Sequence, residues 1–144
     1  MPDTESSRSD RINIDESVME IYDALRTEPG KDKTTTDLDE APYATYKDIF
    51  MYAACLGYQN RTKKKLPSGK KTTIRREVFD ESDFTVLGAI AIADSGDVKV
   101  LGNIGEIITI AEEYAHAGIF QLKEILLDQS GRPLWNLVSL LNST

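Results

Sequence analysis

Two side chains stand out by type as potential reaction centres, the single cysteine Cys55 and the single histidine His116. A nucleophile works when a base lies beside it and a third group holds that base. No signature around either residue supplies that arrangement. Cys55 lies between Ala54 and Leu56, so it is expected to be a buried, inert thiol. His116 is read as a helix-end or surface residue, where an imidazolium would suit the C-terminal dipole. One cysteine excludes an internal disulfide and a thiolate metal cage.

Carboxylates offer little more. Asp94 and Asp97 flank a Ser95-Gly96 turn, too short and too sparse in oxygens for a calcium loop, and are read as capping residues. Glu112 and Glu113 are neighbours on a helix and project about 100° apart, which does not aim them at one ion. Gly102-Asn103-Ile104-Gly105 looks like a glycine loop but lacks dinucleotide spacing and a lysine-serine ending, so it is read as helix-cap chemistry. No catalytic centre, metal site or cofactor is therefore expected.

What remains is charge. The chain has 17 basic and 24 acidic residues and a net charge of −7. Eight of the basic residues, Arg61, Lys63, Lys64, Lys65, Lys70, Lys71, Arg75 and Arg76, fall in one stretch with no acid among them. The rest of the chain holds nine basic against 24 acidic residues, a balance of −15. A dense positive strip suits a polyanion such as the DNA backbone. It also suits docking onto an acidic partner or onto this chain's own acidic surface, or it is a solvated loop. A second candidate surface is the C-terminal Leu134-Trp135 segment: tryptophan favours interface hot spots, although such a helix more often packs into a core.

The elements that must position these residues follow from apolar spacing and caps. Residues 1–12 are polar, acidic and aperiodic, and are expected to form a flexible tail ahead of one helical domain over residues 13–144. A first helix is expected over Asp15–Thr27, capped by Asn13 with Glu16 and burying Val18, Ile21, Tyr22 and Leu25. Pro29-Gly30 stops it, and residues 31–42 read as a polar linker. A second helix, Tyr46–Leu56, is capped by Thr45 and ended by Gly57. The basic stretch then forms a long loop or a short exposed β-hairpin, with a turn at Leu66-Pro67-Ser68-Gly69. A third helix, Glu81–Asp94, carries the Asp80/Asp83 capping box and a Phe79–Phe84 staple. Asp97–Leu101 is either strand or helical turn. A fourth helix begins after Asn103, and Gly118 either breaks or bends it before the pattern resumes over Phe120–Asp128. A last helix starts at Pro133 and uses Leu134, Leu137, Val138 and Leu141.

The fold class is mainly α: a compact single domain of five or six helices with one basic excursion between the second and third. At 144 residues such a chain buries roughly 70% of its unfolded surface, enough for an ordinary core. The amino terminus lacks the apolar stretch of a secretory signal, and no run approaches a membrane span. A cytoplasmic location is expected.

Several strings resemble a known family. They are Tyr46-Lys47-Asp48-Ile49-Phe50-Met51-Tyr52-Ala53-Ala54-Cys55-Leu56-Gly57-Tyr58, then Leu87-Gly88-Ala89-Ile90-Ala91-Ile92-Ala93-Asp94-Ser95-Gly96-Asp97-Val98. Ala111-Glu112-Glu113-Tyr114-Ala115 with Gly118-Ile119, and Pro133-Leu134-Trp135-Asn136-Leu137, complete the set. In order and spacing, over about residues 14–141, they resemble accessory proteins associated with the Dnd, or DNA phosphorothioation, systems of bacteria and archaea. Those systems replace a non-bridging phosphate oxygen of DNA with sulfur, and partner proteins use the mark to spare self DNA in restriction and antiviral defence. The resemblance implies a non-enzymatic component working with other Dnd-type proteins, with no catalytic residues to carry over. It also places basic character at Arg61–Lys71. The leading expectation is an accessory protein touching DNA phosphates through the basic tract. The alternatives are an adaptor docking a larger defence enzyme, with Trp135 as its anchor, and a transcriptional regulator of its own operon.

Overall fold

Local capping and apolar spacing become five α-helices and one two-stranded sheet in a computed structural model that describes residues 10–27 and 41–142. In chain order they are β1 (Arg11–Asp15), α1 (Met19–Leu25), α2 (Tyr46–Gln59), β2 (Lys71–Arg75), α3 (Glu81–Ser95), α4 (Ile104–Leu126) and α5 (Pro133–Asn142). The mainly helical architecture is as expected, with a small β element. Residues 31–40 of the expected linker over 31–42 and the stop at Pro29-Gly30 lie outside the described residues, as does most of the tail.

The caps hold at three of the helix starts. Thr45 accepts from the Asp48 amide at 3.2 Å, and Asn103 accepts from the Glu106 amide at 3.1 Å. Asp80 and Asp83 exchange both bonds of a capping box, at 2.8 and 2.9 Å. Phe79 meets Phe84 at a centroid distance of 6.0 Å and Phe50 edge-on at 5.8 Å, so the staple also joins α3 to α2. Gly96, at φ 74°, ends α3 in the left-handed conformation that glycine adopts without strain. Asp97–Leu101 resolves as a 3-10 turn, Val98–Gly102, capped by Asp97.

The first segment departs from expectation. Residues 11–15 form a strand instead of a helix start, so the proposed tail boundary at residue 12 falls inside β1, where Ile12 is fully buried. Asn13 caps nothing. Asp15 caps the 3-10 turn Glu16–Val18 that precedes α1, accepting from the Ser17 amide at 3.1 Å. The five-residue strand has too short a period to be read apart from the helix pattern behind it. β1 pairs antiparallel with β2, Arg11 opposite Arg75 and Asp15 opposite Lys71. The β element after α2 thus finds its second strand at the amino-terminal end, and Ile12 and Ile74 face each other over the core.

The core is built along α4, which buries fourteen of its twenty-three residues. It runs unbroken through Gly118. A Cβ there would lie 1.8 Å from the Ala53 carbonyl oxygen, and one at Gly57 would lie 2.2 Å from that of Tyr114. These two glycines let the backbones of α2 and α4 touch. Gly57 is therefore a packing residue inside α2, which continues to Gln59, and is not a stop signal.

Two further expectations are corrected here. His116 is buried, because the face of α4 that carries it packs under β1. Cys55 is exposed: its neighbours Ala54 and Leu56 turn inward and Cys55 turns outward.

Candidate nucleic-acid interface

The path of the basic tract is set by backbone contacts. Arg61, at φ 55°, turns the chain sharply at the end of α2, and Thr62 donates to the Gly57 carbonyl at 2.9 Å. The Lys64 amide then donates to the Glu113 carbonyl at 3.0 Å, laying the loop across the middle of α4. Leu66 lines a small cavity together with Ile14, Val18, Tyr22, Phe50 and His116. The turn that follows is stapled by the Lys71 ammonium, which donates to the carbonyls of Pro67 and Gly69. The tract ends on β2 and the 3-10 turn Arg76–Val78.

This course divides the eight cations. Lys63 pairs with Asp94 at 3.2 Å, and Lys71 pairs with Asp15 at 3.1 Å. The Lys64 ammonium stands 4.7 Å over the Phe120 ring, the Arg61 guanidinium 4.5 Å over Tyr58 and that of Arg76 5.6 Å over Phe84. Lys65, Lys70 and Arg75 are exposed and form no ion pair among the described residues. The tract docks partly on the chain's own acids and rings while Lys65, Lys70 and Arg75 face water. Arg11 joins it across the ladder, opposite Arg75. Sequence reading missed Arg11, because strand pairing between distant segments leaves no local signal.

The two acidic anchors differ. The Asp15 carboxylate is almost fully buried and also takes Ser17's amide and hydroxyl. Those bonds, led by the Ser17 hydroxyl and helped by Lys71, hold its carboxyl below the usual range against the opposing effect of burial. Asp94 sits in the last turn of α3 and accepts from the Tyr114 hydroxyl at 2.6 Å. Burial, then this bond, pushes the Tyr114 phenol up to about 12, so it stays a donor. Its Lys63 partner remains substantially exposed.

A second polar cluster lies beneath the sheet. Glu112 is buried and accepts from the Asn13 amide at 2.6 Å, fixing β1 to α4. His116 lies one turn on, beside the same cavity, and burial lowers its pKa. Cys55 instead borders a groove with Tyr52, Leu56, Gln59, Asn60, Ile125 and Leu140, of about 320 Å³. The thiol and the imidazole thus face different spaces. Among the described residues no group of three or more His, Cys, Asp or Glu side chains could hold a metal ion. No helix among them is long and apolar enough to cross a membrane.

Trp135 is 59% exposed. The helix that carries it, α5, buries no residue and contains no charged side chain. It rests on α4 through Leu137 and through the Asn136 amide group, which donates to the Leu126 carbonyl at 3.2 Å. Core packing, the commoner fate for such a helix, is not what Trp135 does here.

No curated protein and no solved structure matches the chain. A family model does, over residues 11–144, which spans every element from β1 to α5. Its description agrees with the resemblance carried by the strings of α2, α3, α4 and α5. The chain belongs to the family of DNA sulphur modification system-associated protein 4 and is thereby associated with a DNA sulphur modification system.

Proposed function

We propose that this protein is a non-enzymatic accessory component of its DNA sulphur modification system, one that contacts the DNA backbone through the outward cations of residues 61–76. The observation that carries this reading is the division of the tract. Lys64 and Lys71 hold the loop against the body and Lys63 pairs with Asp94, while Lys65, Lys70 and Arg75 are left exposed on a supported strip. Cations carried on a fixed backbone bind a polyanion with less loss of chain freedom than those of a mobile tail do. Such contacts position a protein without reading bases. A phosphorothioate keeps the single negative charge of a phosphate, so the strip should hold marked and unmarked duplex alike. Other proteins of the system, acting with it in the cytoplasm, would then supply discrimination.

The test is fluorescence anisotropy with a 20-base-pair duplex across a salt series. The wild-type protein should bind with a dissociation constant of about 1–100 µM near physiological salt. Replacing Lys65, Lys70 and Arg75 together with alanine should weaken binding and flatten the salt dependence by about 0.9 in log–log slope per lost contact. A triple variant with unchanged affinity and slope would sink the reading.

A second reading is favoured by a separate observation. An exposed tryptophan on an uncharged helix is the kind of anchor that protein interfaces use. On that reading α5 docks a larger protein of the same system, and the two surfaces serve one accessory role.

A further inference from the structure

We propose that Asp94 is a built-in competitor of DNA phosphate, holding Lys63 in an intramolecular pair that a duplex must exchange before this lysine joins the contact. The inference rests on the DNA-contacting reading above and names how that surface is restrained.

Three features support it. First, the carboxylate is held in place independently of the lysine. The Tyr114 hydroxyl, on a buried residue of α4, donates to Oδ1 at 2.6 Å. When Lys63 leaves, Asp94 keeps a hydrogen bond and no buried acceptor is orphaned, so the exchange is cheap. Second, Lys63 is mobile enough to leave. Its side chain retains 40% of its accessible surface, against 20% for Lys71. Lys71 is held by Asp15 and by the carbonyls of Pro67 and Gly69, and its release would open the turn. Third, the Lys63 ammonium lies 5.8 Å from the Tyr114 ring centroid, at the outer edge of a cation–π contact, so the ring adds little to its hold. Asp94 is thus the exchangeable clamp of the tract and Asp15 the structural one.

An exposed pair of this kind stabilises weakly, which sets the size of the effect. In the full-length protein, Asp94→Asn should bind the 20-base-pair duplex about two- to fivefold more tightly. Asparagine still accepts from Tyr114, so the fold should be retained. In a Lys63→Ala background the same change should add nothing, because no lysine is left to release. A gain that persists undiminished without Lys63 would reflect general loss of negative charge and would overturn the proposal. So would unchanged affinity of Asp94→Asn, and if the triple Lys65/Lys70/Arg75 variant still loses binding, only this inference falls. Absence of any duplex binding by the wild-type protein at low salt would overturn both. A measurement on the wild-type chain guards against a misfolded variant. On adding duplex, the Lys63 side-chain nitrogen resonance should shift while that of Lys71 stays, and a stationary Lys63 would refute the exchange.

Discussion

Helices α4 and α5 show nearly the same apolar periodicity and have opposite fates. α4 buries fourteen residues and carries the core on several sides. α5 buries none, although leucine, valine and tryptophan dominate it. Charges do not explain the contrast in the expected direction, since the buried helix holds Glu106, Glu112, Glu113, Lys123 and Glu124, and the exposed one holds no charged residue. The difference lies in what approaches each helix. Small residues on α2 let its backbone meet that of α4, and β1, α3 and the 3-10 turn Val98–Gly102 pack on further sides. α5 comes last and, among the described residues, rests chiefly on the end of α4 and borders the groove beside Cys55 through Leu140. An apolar stripe therefore reports a face to be covered and leaves open what covers it.

The sharpest way to break this contrast is to part α2 from α4. Gly118→Ala places a methyl group 1.8 Å from a backbone oxygen that cannot swing aside. Helix propensity would gain about 1 kcal/mol, but overpacking against backbone should cost at least about 3 kcal/mol. The melting temperature should fall by roughly 10 °C or more in a thermal scan. A variant as stable as the wild type would show that the close crossing is not what holds the two helices.

The helices and their caps were legible because they are encoded within a few residues: Thr45, Asp80 and Asn103 act where their spacing puts them. The strand β1 was not, since its partner lies beyond two helices and its five residues merge with the helical pattern that follows. Of the candidate site, the composition was legible and the arrangement was not. The cluster of cations could be counted in the sequence, but the division into anchored and outward members depends largely on Asp15, Asp94 and Phe120, which come near only after folding. Cys55 is expected inside because its neighbours are apolar, but in a helix the neighbours of a residue point elsewhere. His116 is expected at a helix end, but α4 continues through Gly118 to Leu126 and leaves it mid-helix under β1.

The next contrast concerns protons inside α4 and at the sheet. Burial holds the folded His116 imidazole below its ordinary value of 6.5, with Lys64 and Lys71 adding to that effect and Asp15 opposing it. As pH falls, the unfolded chain takes up this proton first, so stability is full above about 6.5 and declines below it. Asp15, lowered from 3.8, adds a second loss as pH falls below about 4. Urea unfolding at pH 7 and pH 5 should therefore give a lower midpoint at pH 5, and His116→Gln should remove most of that difference. A wild-type midpoint equal at both values would mean that the buried imidazole titrates alike folded and unfolded.

The smallest expected effect on stability falls on α5, and its smallness is the point. Trp135 covers little of the core, so Trp135→Ala should alter unfolding free energy by no more than about 0.5 kcal/mol. If α5 docks a protein of the same modification system, the variant should nonetheless lose that partner, because a central tryptophan typically costs 2 kcal/mol or more at an interface, about thirtyfold in affinity. Titration of the purified partner into wild-type and variant protein separates the two quantities. Loss of binding with the fold intact would mark α5 as a surface kept apolar for use. Retained binding would leave the exposed stripe without a role in docking, and a large loss of stability would show that Trp135 belongs with α4 and the core after all.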